Sequence, residues 1–184
     1  VSESFEARYN RANAHLRNGD HGQALALFQE LQTEYPDDEY VRYGLAATAM
    51  QRVASGEGNA IEVARNELSR VTMSKDPRLR DAAHVGLARV GFKGADVLME
   101  DQSDPANLGK AKEVCESTLS ELSDYLEQEP DSNNGRLAYS KGRMLLKKIT
   151  EKLAEQESQE NQDGEGEEGE GGEEGEEEDK EDKK

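Results

Sequence analysis

The run Phe5-Glu6-Ala7-Arg8-Tyr9-Asn10-Arg11-Ala12-Asn13-Ala14-His15-Leu16 turns at Gly19-Asp20 into Ala24-Leu25-Ala26-Leu27-Phe28-Gln29-Glu30-Leu31 and stops at Tyr35-Pro36. Two helices, over about 3–18 and 21–34, follow from it. Proline ends the second because it lacks an N–H and clashes with the preceding turn.

The same punctuation continues outward. Pro77, Pro105 and Pro130 lie in polar stretches such as Lys75-Asp76-Pro77 and Glu129-Pro130-Asp131. Between these breaks the pattern is helical in period and lacks alternating Val/Ile/Thr runs. It predicts further helices at about 38–54, 59–72, 78–100, 106–128 and 134–157. The expected fold is all-α, three antiparallel helix pairs and a single terminal helix.

Charge divides the chain in two. Of its 41 acidic and 23 basic residues, 16 and 3 fall in residues 155–184. That segment carries −13 of the net −18, and the first 154 residues carry only −5. It also has no aliphatic or aromatic side chain, so all the apolar residues sit in the body, an ordinary globular content. The expected division is a helical domain over 1–157 and a disordered Gly/Glu-rich acidic tail over 158–184. There, carboxylate repulsion and glycine entropy have no apolar burial to offset them. No basic cluster of the kind nucleic acid requires is present, so no nucleic-acid partner is expected. No stretch of eighteen apolar residues exists to insert into a membrane. A single cysteine, Cys115, makes neither an internal disulfide nor a zinc cluster.

Residues 5–38 resemble a tetratricopeptide repeat, a helix–turn–helix unit of about 34 residues. In that family small residues at the eighth and twentieth positions let the two helices approach, a large apolar residue fills position 24, and proline at 32 ends the unit. Ala12, Ala24, Phe28 and Pro36 occupy those places, while Arg8, Arg11 and His15 depart from the usual aromatic, Leu and Tyr. A looser second unit follows, with Tyr40, Leu45, Ala46 and Ala49, then Ala64, Leu68 and Val71; its Ser55–Asn59 turn is longer than the standard spacing. The third pair is about two turns too long per helix, and Gly86, Gly91 and Gly94 on its first helix suggest close approach. Helix 134–157, with Leu137, Leu145, Leu146, Ile149 and Leu153, would cap the open end. The resemblance implies a short solenoid whose concave face is lined by the first helix of each pair. It places Glu6, Tyr9, Asn13, Leu16 and Arg17, then Tyr40, Tyr43, Ala47, Met50 and Gln51, on that face, joined by Arg80, His84 and Leu87 from the third pair.

No chemistry competes with that face. His15, His21 and His84 do not share a helical face, and no H-E-x-x-H motif is present. Cys115 has an acidic neighbour in Glu116, which raises its pKa. Gly91-Phe92-Lys93-Gly94 lacks the preceding strand of a phosphate loop. Neither an enzyme nor a bound cofactor or metal is expected. The expected partner-binding residues are Tyr9, Asn13, Arg17, Tyr40, Tyr43, Arg80 and His84, forming an amphipathic wall for a peptide or helix of a protein partner. The carboxylate clamp of some relatives is not expected, since Tyr9 replaces its Lys and Gly44 stands where its second Asn belongs.

A narrower resemblance joins the Tyr9–Asn13 opening, the few repeats, Leu145–Ile149 and the Gln/Glu-rich run beginning at Glu155. This layout is similar to the repeat proteins of bacterial aerotolerance operons. It implies a periplasmic complex with MoxR-type ATPases and von Willebrand factor A proteins. The alternative reading makes the polyanion the working end, as in acidic chaperones for basic proteins such as histones.

Overall fold

The computed structural model describes residues 3–164. Seven helices follow one another: α1 (Phe5–Asn18), α2 (His21–Glu34), α3 (Glu39–Ala54), α4 (Ala60–Val71), α5 (Pro77–Glu100), α6 (Asn107–Gln128) and α7 (Asn133–Gly164). Their starts agree with the sequence pattern within two residues, and the described residues contain no strand.

The first helix of each unit opens on a side chain that takes up an orphan backbone N–H. Ser4 accepts from the Ala7 N–H at 3.2 Å, Asp38 from Val41 at 2.9 Å, and Asp76 from Arg78 at 2.9 Å, with Pro77 in the first turn. Gly19 closes α1 in the left-handed region at φ 82°, where a side chain would be strained, and the Gly19 and Asp20 N–H groups cap Leu16 and His15. Arg8 stands where the family carries an aromatic. Its guanidinium forks onto Glu34 at 2.6 and 2.7 Å and reaches Glu30 at 3.3 Å, tying α1 to α2 by charge.

The core is a chain of local clusters rather than one central mass, as stacked repeats require. Ala12, Leu16, Ala24, Phe28, Leu31, Val41 and Leu45 bury together across α1–α3. Ala46, Ala64, Leu68, Val71 and Ala83 continue the stack across α3–α5. Met99, Ala111, Cys115, Leu119 and Ile149 close it across α5–α7. At two contacts with aromatic rings only glycine fits. A Cβ on Gly44 would lie 2.3 Å from the Phe28 ring, and one on Gly142 would lie 2.2 Å from the Phe92 ring. Of the three glycines singled out on α5, Gly86 faces Leu68 and Gly91 faces Thr118, but Gly94 has open space beside it.

The end of the stack differs from expectation in two respects. Helix α7 continues to Gly164 rather than stopping at 157. A nucleated helix needs no apolar face to extend, and Glu and Gln lose little rotamer freedom in it. The remainder of the expected acidic tail, 165–184, lies outside the described residues. Leu137, assigned to the packed face of the cap, is 52% exposed, because Ala138, Gly142 and Ile149 form the stripe that meets the body.

Candidate protein-binding groove

The tyrosines of α1 and α3 share one side of the stack. Tyr9 stacks on Phe5 with ring centres 5.9 Å apart and meets Phe28 edge-on at 5.9 Å. Tyr40 is 48% exposed, and its hydroxyl donates to Asp76 Oδ2 at 2.6 Å, bracing α3 against the cap of α5. That bond pushes the Tyr40 phenol up and pulls the Asp76 carboxyl down. Tyr43 is half-buried; burial raises its hydroxyl, Arg89 opposes, and Tyr9 adds to the rise. Tyr9 acts on Tyr40 in the same sense.

Beyond Tyr43 the wall opens into a cavity of about 570 Å³. Arg78, Asp81, Ala82, Val85 and Arg89 of α5 line it, and Tyr125, Glu129 and residues 131–134 form its far side. Asp81 accepts the Tyr125 hydroxyl at 2.7 Å, so α5 and α6 are locked behind the cavity. The Tyr125 phenol is pushed well above its ordinary range, first by burial and then by this bond. Both signs of charge line the space, which suits an amphipathic segment better than a simple ion.

Two of the expected site residues lie elsewhere. Arg80 donates to the Ser74 carbonyl at 3.0 Å and pairs with Glu129 at 3.4 Å. The His84 ring stacks on Tyr125 with centres 4.2 Å apart, beside a cavity of about 30 Å³ between α5 and α6. Both project from the side of α5 roughly opposite Arg78, Ala82 and Arg89, at 100° per residue. Leu87 borders a space between α4 and α6 instead. Asn13 is spent on its own helix, donating to the Tyr9 carbonyl at 3.0 Å. Arg17 is exposed one turn further on and makes no ion pair among the described residues.

The missed residues had a signal in the caps. Ser4 and Asp38 are 34 positions apart (38 − 4), and Asp38 and Asp76 are 38 apart (76 − 38), so the second unit is four residues longer, mostly in the α3–α4 loop. Counting from Asp76 puts Arg78, Asp81, Val85 and Arg89 at positions 2, 5, 9 and 13, all on the cavity.

Burial, together with Arg80, lowers the His84 pKa from its usual 6.5, against an opposing pull from Asp81. The unfolded chain therefore takes this proton at a higher pH than the fold does. The contribution of neutral His84 is complete above about pH 6.5 and is lost as pH falls through the depressed value. A His84→Phe variant, which retains the stack, should show a flatter fall in urea midpoint between about pH 7 and 5.5 than the parent. Parallel profiles would contradict this. Burial also raises the Cys115 thiol, whose sulfur lies 3.5 Å from the Gly142 carbonyl inside the core.

No helix of the described residues is long and apolar enough to cross a membrane. No three His, Cys, Asp or Glu side chains among them converge to hold a metal. The tetratricopeptide repeat family model matches residues 5–48. No curated protein and no solved structure gave a match. Residues 5–48 therefore carry a tetratricopeptide repeat and run into the next unit, and α1–α7 continue it as a helical-repeat solenoid.

Proposed function

We propose that the protein is a non-enzymatic adaptor that holds a segment of a partner protein on its concave face. The observation that carries this reading is Tyr43, one turn from Tyr40 on α3, which lines the cavity together with Ala82, Val85 and Arg89. A tyrosine wall offers apolar area with polar edges and few rotors, which suits a helix or extended peptide. The repeat itself favours a protein partner.

Removing all three tyrosines is a poor test, since Tyr9 packs on Phe28 and Tyr43 on the α3–α5 core. Ala82→Arg fills the cavity from a helical position without removing core. Peptides selected from a displayed random library against the full chain should bind this variant at least about tenfold more weakly, a loss of roughly 1.4 kcal/mol. Val63→Arg, on an exposed position of α4, should leave their affinity unchanged. Equal affinity of parent and Ala82→Arg would remove the groove from the account.

The narrower reading, a periplasmic complex with a MoxR-type ATPase or an A-domain protein, rests on the layout of repeats and acidic tail. Purified candidates of those two kinds should then compete with the selected peptides. A second reading is favoured by the −13 charge of residues 155–184. An acidic chaperone of this kind would bind histones through the tail, unaffected by Ala82→Arg and weakened by salt.

A further inference from the structure

Residues 132–150 contain Arg136, Lys141, Arg143, Lys147 and Lys148 and no acidic residue. Helix α7 turns Ala138, Gly142 and Ile149 toward the body, which leaves Ser140, Arg143, Met144 and Lys147 on its outer side. That outer side is open: Met144 is 71% exposed, and a surface depression follows Ser140, Arg143, Met144 and Lys147 and ends at Thr150 and Glu151. Helices α1, α3 and α5 are each followed by a helix that packs on them. Among the described residues α7 has none after it. Part of the positive charge on α7 is already answered, since Lys148 and Lys152 reach Glu100 at 3.4 and 3.3 Å. Lys147 has only Glu151 at 3.8 Å, and Lys141 and Arg143 have no carboxylate partner among the described residues.

The occupant with complementary charge is in the same chain. Residues 165–184 hold 12 acidic residues against 3 lysines, with 6 of the acids between Glu173 and Asp179. They follow Gly164, which is twenty residues beyond Met144, or about 30 Å along the helix. Twenty residues span at most roughly 66 Å. The acidic run is therefore long enough to reach Lys147 and Arg143. A second copy is the weaker occupant, because two α7 faces brought together would oppose like charges.

We propose that the acidic segment 165–184 docks on the Arg143–Lys147 face of α7, where the next helix of the stack would sit. The segment has no apolar side chain, so Leu137 and Met144 contribute little and the contact is electrostatic. Single exposed pairs are weak, and the docking depends on many charges acting together at low salt. An acidic partner approaching this end of the solenoid has to displace the segment first. The groove does not enter this argument, and failure of either reading leaves the other standing.

The test uses the full chain with a nitroxide on a cysteine introduced as Glu174→Cys; Cys115 is buried and stays unlabelled. At about 0.05 M salt, amides of residues 140–148 should lose most of their NMR intensity. Both about 1 M salt and the double variant R143E/K147E, altered only at exposed positions, should restore it. Broadening that falls on residues 78–89, or none at all, overturns the proposal. So does broadening that persists in the double variant. A mixture of isotope-labelled chain without nitroxide and unlabelled chain carrying it reports contacts between copies. Broadening of 140–148 in that mixture, at the strength seen within one chain, assigns the face to a second copy and also overturns it.

Discussion

Phe28→Ala should destabilise the protein by about 3–5 kcal/mol, the range for emptying a buried phenylalanine site that cannot collapse. The ring has no exposed surface and joins Ala12 and Leu16 of α1 to Val41 and Leu45 of α3. Tyr9 packs on its face, so the loss also loosens the first stretch of the groove. In a stack where each unit touches only its neighbours, the damage should stay local. Amide exchange should lose protection in α1–α3 and keep most of it in α5–α7. A uniform loss would mean one cooperative core and would contradict the serial arrangement of clusters. Gly44 supplies an internal check, because the Cβ of Gly44→Ala meets this ring at 2.3 Å. That substitution should be harmful in the parent and much less so beside Phe28→Ala, and additive effects would count against the close contact.

Gly142→Val should loosen the other end. Its Cβ would lie 2.2 Å from the Phe92 ring, and the Gly142 carbonyl meets the Cys115 sulfur at 3.5 Å, so α7 has no room to shift inward. Overpacking of this kind costs about 1–3 kcal/mol. Helix α7 would be pushed off α5, and with it residues 132–134, which form the far wall of the cavity. Two readouts should therefore move together: exchange protection of α7 and affinity for groove-selected peptides. Adding Phe92→Ala should restore part of the α7 protection. If it restores none, Phe92 is not the obstacle.

Most of the architecture was legible in short signals. Gly19-Asp20, Pro36 and Pro77 mark where helices must stop, and the Ala12, Ala24 and Phe28 spacing marks how the first pair closes. Tyr9, Tyr40 and Tyr43 could be placed from the same count, because α1 and α3 start 34 residues apart. The third pair escaped it because the α3–α4 loop shifts the register, and on a helix a slip of two residues turns a side chain by about 200°. That slip put Arg80 and His84 on the groove and hid Arg78, Ala82 and Arg89. The close approach at Gly142 depends on a ring fifty residues earlier, which no local pattern shows. The length of α7 was hidden for the opposite reason: polar Glu/Gln sequence extends a helix without leaving an apolar stripe to read.

The central claim is that a partner segment lies along α3 and α5 and against the start of α7. Amide hydrogen exchange of the full chain, with and without a saturating selected peptide, tests it most directly. New protection should appear at residues 40–47, 78–89 and 131–135 and leave the exposed side of α4 around Val63 unchanged. Protection centred on Val63, or none in those three stretches at saturation, would contradict the claim.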